Sequence, residues 1–326
     1  MRSPGKALRC FSWGPTPPPL PDPIPGLQHD WVTADDGVKL HLVRTCANND
    51  GRKPVVLLLH GFPEGWFSWR HQMEALRDAG WCAVAMDLRG YGTSDKPQDV
   101  ASYRMERLVE DVVEVIHAIA PPDTGRVALC GHDWGGIIAW HVAHLRPELI
   151  GRLAVLCAPH PACYVRNMDW DQAKRSWYVA AFQTPWVPEA VLCWDDCAAV
   201  GNMIAGPELG CRNPSALTEQ DVQRYRQAFA APGTATAGVN YYRAALDYGL
   251  RVGNPRLHRA LRERLQVPTL VLWGDKDIAL GPQLLRGMDR YIEQLQVHEI
   301  EDASHWLQQD RWGEVNHLLV DFLGKD

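Results

Sequence analysis

The chain has 326 residues, a formal net charge of −6 and a hydrophobic content of 46%. These values are ordinary for a globular protein that can bury a large core, and the net negative charge argues against a general nucleic-acid-binding surface. No apolar run reaches membrane-spanning length, and the N-terminus lacks the apolar segment of a signal peptide.

Residues 1–26 are rich in proline and are predicted to form an N-terminal arm. The stretch Pro15–Pro25 in particular favours extended backbone, because proline cannot donate a hydrogen bond to a sheet. We expect the arm to lie on the surface of the protein. A Pro-x-x-Pro segment that binds a partner is the alternative.

From residue 27 the chain alternates between strand and helix patterns, which favours an α/β fold with a mostly parallel sheet. A turn signal at residues 35–37 joins the first two predicted strands, and the apolar run Val55–Leu59 is typical of a strand buried on both faces. The predicted strands cover Trp31–Thr33, Val38–Thr45, Val55–Leu59, Trp81–Leu88, Arg126–Cys130, Leu153–Ala158, Thr269–Trp273 and Leu295–Ile300, and the predicted helices cover Trp69–Ala79, Tyr103–Ala120, Ile137–Leu145 and Trp312–Leu323.

The stretch Gly131–Gly136 reads Gly-His-Asp-Trp-Gly-Gly and lies between a predicted strand and a predicted helix. A strand, a glycine-bounded turn and a helix describe a nucleophile elbow, which lifts one side chain above a parallel sheet. The residue at this elbow is Asp133. A carboxylate gains nothing by attacking a carbonyl group, whereas its attack on a saturated carbon forms an alkyl ester that water can hydrolyse. Asp133 therefore indicates displacement at an sp³ carbon of an epoxide or an alkyl halide.

The loop after the third predicted strand, residues 60–64, reads His-Gly-Phe-Pro-Glu. In hydrolases with an elbow, this loop donates one backbone N–H group to an oxyanion hole, and the residue after the nucleophile donates the other. The N–H groups of Phe62 and Trp134 are therefore predicted to form the hole. We interpret His60 as a packing residue that braces the loop, and Pro63 is a candidate for a cis peptide bond.

Between residues 160 and 252 the alternation of strands and helices stops, and helix-like segments rich in aromatic residues take its place. An inserted helical cap over the carboxyl edge of the sheet explains this change. The core would then consist of residues 27–159 and 253–326. Four cap tryptophans are expected either to line a pocket for a small hydrophobic substrate or to fill the cap's own core, namely Trp170, Trp177, Trp186 and Trp194.

An acid and a histidine follow the last two predicted strands. Asp275 and Asp277 come after Thr269–Trp273, and His305 comes after Leu295–Ile300. With Asp133 they give the chain order nucleophile, acid, base that is typical of hydrolases with an elbow. The sequence therefore predicts that His305 acts as a base and that an acid orients it.

The nine cysteines show no paired spacing, and Cys82, Cys130 and Cys157 fall within apolar runs. An odd and scattered count is typical of reduced core thiols in a cytoplasmic protein rather than of a disulfide framework.

Over residues 28–326 the chain resembles the epoxide hydrolases of the α/β-hydrolase fold. The motifs that carry the resemblance are His60–Glu64, Gly90–Asp95, Gly131–Gly136, Gly274–Asp277 and Ser304–Trp306. The resemblance implies conversion of an epoxide to a vicinal diol, with no metal and no cofactor. It also implies a small hydrophobic epoxide as the binding partner, no nucleic acid, and a monomer or homodimer.

The resemblance further implies roles for individual side chains. Asp133 would be the nucleophile and His305 the base. Of the two acids after the penultimate strand, the pattern of the family selects Asp277 over Asp275.

Two cap tyrosines, Tyr178 and Tyr242, would hydrogen-bond the epoxide oxygen and donate a proton as the ring opens, with Tyr241 as the competitor of Tyr242. A phenol suits this role because it stays protonated at neutral pH. The side chains expected to contact the substrate are those of Phe62, Trp134, Trp177, Phe182 and Trp306.

A haloalkane or haloacid dehalogenase is the alternative function, because it shares the fold and the nucleophile. It would have to bind a leaving halide with side-chain N–H donors, and Phe62 has none to add to that of Trp134. A non-catalytic binding protein of the same fold is a third hypothesis, but such a protein would not need the complete catalytic set.

Overall fold

The computed structural model describes residues 21–46, 53–250 and 255–324. Most of the predicted N-terminal arm, residues 1–20, lies outside the described part. The strands are β1 Gln28–Thr33, β2 Lys39–Arg44, β3 Val55–Leu59, β4 Cys82–Met86, β5 Val127–His132, β6 Ile150–Leu156, β7 Thr269–Gly274 and β8 Leu295–Ile300. The α-helices are α1 Arg70–Asp78, α2 Met105–Ile119, α3 Trp134–Leu145, α4 Pro161–Arg166, α5 Trp170–Arg175, α6 Trp177–Ala181, α7 Val187–Ala205, α8 Glu219–Ala230, α9 Thr234–Leu250, α10 Pro255–Ala260, α11 Leu307–Asp310 and α12 Trp312–Leu323.

The eight strands form one sheet in the order β1-β2-β4-β3-β5-β6-β7-β8. Strand β2 is antiparallel to both of its neighbours, β1 and β4, and β3 to β8 run parallel to one another. The carboxyl ends of the parallel strands therefore meet at a single edge, where their loops can build a site. The predicted α/β fold with a mostly parallel sheet is confirmed.

Apolar side chains cover both faces of the sheet. Every residue of β3 is buried, and alternate residues point to opposite faces. Leu57 packs in the same cluster as Val112 of α2, and its neighbour Leu58 packs in the other cluster with Leu319 of α12. Helices on both faces explain why β3 has no polar residue.

Helices α4 to α9 follow β6 and form the inserted helical region. Their apolar side chains continue the cluster that covers one face of the sheet, as Leu192 of α7 and Phe229 of α8 show. Helix α8 begins with a capping box, in which Thr218 and Asp221 bond each other's backbone N–H groups. The end of the predicted cap at residue 252 lies outside the described residues.

The four cap tryptophans face away from the protein, which corrects the expectation that they line a pocket or fill the cap. Their exposed fractions are between 69% for Trp177 and 78% for Trp194. In α6 the inward position is occupied by Tyr178, and the next residue along a helix points about 100° away from its neighbour. In α7 Leu192 is buried, whereas Trp194 lies at a break in the helical backbone and projects outward.

A disulfide joins Cys46 and Cys82, so the expectation of reduced cysteines is wrong for this pair. The register of β2 and β4 pairs Arg44 with Val84, and continuing it by two residues places the two cysteines opposite each other. Their Cα atoms are 5.3 Å apart, which suits a disulfide. The argument from cysteine spacing for a cytoplasmic protein therefore loses its basis. No helix among the described residues is long and apolar enough to cross a membrane.

The turn between β5 and α3 is packed so closely that only glycine fits at two positions. A Cβ atom on Gly131 would lie 2.3 Å from the carbonyl oxygen of Gly135. A Cβ atom on Gly135 would lie 2.2 Å from the carbonyl oxygen of Leu59 in β3. Both obstacles are backbone atoms, so no side chain can turn away to make room.

We expect Gly135→Ala to lower the free energy of unfolding by about 3 kcal/mol, the upper end of the usual cost of forcing atoms into a packed core. Urea denaturation followed by circular dichroism measures the change. Gly151→Ala is the matched control, because Gly151 is exposed in β6 and its added Cβ would come no closer than 3.8 Å to the nearest atom. Equal losses in the two variants would contradict the packing argument.

Candidate active site

Asp133 occupies the turn between β5 and α3 with φ 49° and ψ −119°. A non-glycine residue in such a conformation costs on the order of 1–3 kcal/mol, which the surrounding structure must offset. The backbone is held on both sides, since the N–H group of Asp133 donates to Leu156 and its carbonyl accepts from Ile137. Asp133 thus lies at the N-terminus of α3.

The loop after β3 brings a backbone donor to this carboxylate. The N–H group of Phe62 donates to Oδ1 of Asp133 at 2.9 Å. Gly61 allows the approach, because a Cβ at this position would lie 2.5 Å from the Cβ of Asp133. The Phe62–Pro63 peptide is cis. The second predicted donor is the N–H group of Trp134, the first residue of α3, which directly follows Asp133.

His60 is fully buried and braces the same loop. Its Nδ1 lies 2.8 Å from the carbonyl oxygen of Gly61, and its Nε2 accepts from the N–H group of Leu88. Burial lowers the pKa of His60, in keeping with a neutral ring. These contacts agree with the packing role that the sequence suggested for it.

His305 lies between two carboxylates. Its Nδ1 is 2.7 Å from Oδ2 of Asp277, and its Nε2 is 3.6 Å from Oδ2 of Asp133. Oδ1 of Asp277 accepts from the backbone N–H groups of Ala279 and Leu280, which fixes the carboxylate. The side chains of Asp133, His305 and Asp277, which were predicted from separate loops, therefore form a continuous series of contacts.

Asp275, the competing acid, points elsewhere. Its Oδ2 lies 2.7 Å from the ammonium group of Lys276, and its Oδ1 accepts from the N–H group of Ala303. Of these two acids, Asp277 is the one that contacts the ring of His305.

The neighbouring charges shift the pKa values of His305 and Asp277. Burial alone would lower the pKa of His305, but the charge of Asp277 and hydrogen bonds to Asp133 and Asp277 raise it well above the usual value of 6.5. Burial opposes ionisation of Asp277 too, yet the charge and hydrogen bond of His305 hold its pKa below 3.8. The pair is therefore an imidazolium next to a carboxylate when Asp133 is ionised.

Tyr178 of α6 and Tyr242 of α9 face Asp133 across a cavity, with ring centroids 5.8 Å apart. Burial and then the charge of Asp133 raise the pKa of Tyr178 above its usual range, and burial, Tyr178 and Asp133 do the same for Tyr242. Tyr241, by contrast, donates its hydroxyl to the carbonyl oxygen of Arg89 at 2.8 Å. The competitor of Tyr242 is thus already engaged.

The cavity has a volume of about 1070 Å³ and is lined mostly by apolar and aromatic side chains. Of the five predicted substrate contacts, Trp134 lines it. The rings of Phe62 and Phe182 pack against Tyr242 at 5.4 and 4.9 Å, behind the cavity wall. Trp306 packs against His305 and donates its indole N–H to Leu209. Trp177 is exposed to solvent, so its prediction as a pocket residue is wrong.

Several lining residues were not predicted from the sequence. The cavity wall also contains Met105, Ile137, Tyr164, Val179, Leu280 and Tyr291. The spacing offered a signal only for Ile137, which lies one helical turn after Asp133 on α3.

A buried pair that sequence reasoning missed connects the three loops of the site. His132 lies with Nδ1 2.7 Å from Oε2 of Glu64 and with Nε2 2.9 Å from the carbonyl oxygen of His305. Oε2 of Glu64 also accepts from the N–H group of Gly61. Burial opposes ionisation of Glu64, but the charge and hydrogen bond of His132 lower its pKa to about 2. The pair therefore ties the oxyanion loop, the elbow and the loop of His305 together.

A nucleophile elbow, an N–H donor facing it and a histidine–aspartate pair at the carboxyl edge of the sheet define an α/β-hydrolase. A profile of the alpha/beta hydrolase fold matches residues 54–311. The chain is 34% identical to "Epoxide hydrolase 2" of Caenorhabditis elegans over 94% of this chain and 83% of that protein. It is 35% identical to "Epoxide hydrolase 3" of Xenopus tropicalis over 98% of this chain and 84% of that protein.

The fold also matches the structure of an F128A mutant of an epoxide hydrolase from Bacillus megaterium, complexed with its product (R)-3-[1]naphthyloxy-propane-1,2-diol. That match has a TM-score of 0.76 and 30% identity, and it covers 91% of this chain and all of the other. The chain belongs to the epoxide hydrolase family of the α/β-hydrolase fold.

We expect Glu64→Gln to lower the free energy of unfolding at pH 7 by about 3 kcal/mol, because a folded pKa of about 2 against 4.5 for the free side chain stabilises the folded state by roughly that amount. A lowered folded pKa contributes stability that is complete above pH 4.5 and is lost as the pH falls towards 2. The difference between wild type and variant should therefore shrink across this range in urea denaturation.

Glu110→Gln is the control, since Glu110 is exposed and forms a surface ion pair with Arg107. Such pairs contribute little, so this variant should follow the wild type at every pH. A pH-independent loss in Glu64→Gln would mean that the residue stabilises by packing rather than by charge.

Proposed function

We propose that this epoxide hydrolase opens its substrate by direct attack of Asp133 on a ring carbon, forming a hydroxyalkyl ester. Oδ1 of Asp133 is held by the N–H group of Phe62, which leaves Oδ2 as the attacking atom. The single observation that carries the proposal is the placement of this carboxylate between an oxyanion donor and a histidine–aspartate pair. A carboxylate so placed can form an ester and then have it hydrolysed.

Ring opening needs an acid for the epoxide oxygen, and Tyr178 and Tyr242 supply it. Their raised pKa values keep both phenols protonated at neutral pH, so both can donate hydrogen bonds to the oxygen. One phenol transfers its proton as the C–O bond breaks and Asp133 forms the new C–O bond. The result is a neutral hydroxyl on the ester and a tyrosinate in the cap.

Hydrolysis of the ester requires a base, and esterification itself prepares His305 for this role. The hydrogen bond of ionised Asp133 helps to hold the pKa of His305 high. Once Asp133 is an ester its charge is gone, so the pKa of His305 falls and the neutral ring becomes accessible. The proton that His305 loses neutralises the tyrosinate, and neutral His305 then removes a proton from the attacking water, which restores the imidazolium.

The water attacks the ester carbonyl of Asp133, and Oδ1 becomes an oxyanion. The N–H group of Phe62 already faces Oδ1, and that of Trp134 is the second proposed donor. Collapse of the intermediate breaks the ester C–O bond, and the leaving alkoxide takes the remaining proton of the added hydroxyl, which releases the vicinal diol and restores the Asp133 carboxylate. The cap, proposed to span residues 160–252, supplies the acids, and the core supplies the nucleophile, base and hole.

The cavity favours a hydrophobic epoxide, because a wall of apolar and aromatic side chains surrounds the polar groups of the site. The side chain of Phe62 packs against Phe182 and Tyr242 and has no N–H group for a leaving halide. Two phenols that face the nucleophile suit an oxygen leaving group instead.

The intact mass of His305→Gln after exposure to styrene oxide tests the covalent step. Without its base the enzyme should retain the ester, so the protein should gain the full mass of the epoxide on the peptide that contains Asp133. The double variant that also carries Asp133→Asn is the control and should gain no mass. An adduct formed only with 1,2-dibromoethane would instead support the dehalogenase.

We expect Tyr178→Phe and Tyr242→Phe each to slow diol formation by about 10²- to 10⁴-fold, the usual contribution of a general acid. Tyr241→Phe is the matched control, because Tyr241 is an adjacent buried phenol that bonds Arg89 rather than the cavity. It should retain most activity. Unchanged rates in the double variant of Tyr178 and Tyr242 would remove the tyrosines from the mechanism.

A further inference from the structure

A thiol that the proposed mechanism does not use lies next to the base. Cys157 directly follows β6 and has a φ of 43°, an uncommon conformation for a residue other than glycine. Its N–H group donates to the carbonyl oxygen of Leu272 in β7, the strand that leads to Asp277. Cys157 is buried from bulk solvent but belongs to the wall of the substrate cavity.

Cys157, Asp277 and His305 converge on one point. One potential metal-ligand atom from each of them lies within 4.8 Å of the other two, and all three side chains are buried. In a tetrahedral Zn²⁺ site the bonds are about 2.0–2.3 Å long, which separates neighbouring ligand atoms by roughly 3.5 Å. Movements of about 1 Å would therefore bring the sulfur, nitrogen and oxygen atoms to three corners of such a site.

We propose that Cys157, Asp277 and His305 form an inhibitory binding site for a thiophilic divalent cation of the Zn²⁺ class, with water from the cavity as the fourth ligand. A thiolate, an imidazole and a carboxylate are ligands that Zn²⁺ accepts together, whereas Mg²⁺ and Ca²⁺ prefer oxygen alone. The site should therefore select Zn²⁺, Cd²⁺ or Co²⁺ over Mg²⁺.

Binding requires the release of protons. The thiol of Cys157 loses one proton to solvent, and the imidazolium of His305 loses another when one of its nitrogens binds the ion. Burial and then the charge of Asp277 raise the pKa of Cys157 to about 12, so the free thiol is protonated at neutral pH.

The consequence for turnover rests on the proposed function. A cation bound to His305 and Asp277 removes the base but leaves Asp133 and the two cap tyrosines untouched. Ring opening can then proceed while hydrolysis of the ester stops. An enzyme with Zn²⁺ bound should therefore accumulate the ester on Asp133.

Co²⁺ absorption tests the site itself, independently of the reaction. Titration of the protein with Co²⁺ should produce a thiolate-to-cobalt charge-transfer band that is absent in Cys157→Ser. Cys211→Ser is the matched control and should keep the band, because Cys211 is another reduced thiol outside the cluster. The same band in Cys157→Ser, or no band in the wild type, would overturn the proposal. Unfolding curves of each variant establish that it is folded.

The second measurement concerns the intermediate. After incubation with Zn²⁺ and styrene oxide, the wild type should gain the mass of the epoxide, and a chelator should then release the diol and restore activity. Mg²⁺ should produce neither effect. In Cys157→Ser the concentration of Zn²⁺ that halves the variant's own rate should rise about tenfold or more, as expected for loss of a group that supports the metal.

Inhibition by Zn²⁺ without an adduct would show that the ion blocks epoxide entry and would overturn the proposed arrest. The metal-free His305→Gln variant separates the two proposals. If that variant also forms no adduct, the covalent mechanism fails, whereas the cobalt spectrum still decides whether the cation site exists.

Discussion

Asp133 adopts a positive φ that few residues other than glycine tolerate, and the centre of the molecule is arranged to hold it there. Gly131 and Gly135 remove the Cβ atoms that would otherwise meet backbone at 2.2 to 2.3 Å. β3 and β5, whose side chains are buried on both faces, keep these close approaches in place. The strain at one residue, on the order of 1–3 kcal/mol, is thus offset by the packing of the whole sheet. In return the carboxylate projects above the sheet edge, where the loops after β3 and β8 reach it.

The buried acids of the site differ in their protonation. The hydrogen-bond donors and charges around each group decide whether its pKa is lowered or raised. Asp277 and Glu64 are buried, yet both stay ionised because N–H groups and a neighbouring histidine stabilise the charge. Tyr178 and Tyr242 are buried among rings beside the charge of Asp133, so ionisation becomes harder. The core therefore holds permanent charges, and the cap holds protons that are released only to a strong base. This division places the proposed nucleophile and the proposed acids on opposite sides of the cavity before any substrate enters.

The sequence predicted the features that depend on neighbouring residues, such as single strands and the motifs that follow them. The bounds of β3 match the apolar run Val55–Leu59, and the elbow, Phe62 and His305 follow from motifs placed after strands. What the sequence could not reveal depends on pairings between distant segments. The disulfide of Cys46 and Cys82 follows from the register of β2 and β4, and the Glu64–His132 contact joins loops 68 residues apart. The outward tryptophans were misjudged because hydrophobicity indicates that a residue can be buried but not which face of a short cap helix turns inward.

The Glu64–His132 pair makes the geometry of the core a single unit. Oε2 of Glu64 faces only donors, and the carbonyl oxygen of His305 can only accept. The two nitrogens of His132 therefore hold the loop of Phe62 through Glu64 on one side and the loop of His305 on the other. A change of substrate that required these loops to move would break the buried contact between Glu64 and His132, which is costly. The inserted helices reach the site through two phenols and the cavity walls, and Arg175 of α5 also donates to the carbonyl oxygen of Asp277 at 2.7 Å. The inserted helices therefore shape the cavity through its walls, while the core holds the carboxylate and the histidine that are proposed to form and hydrolyse the ester.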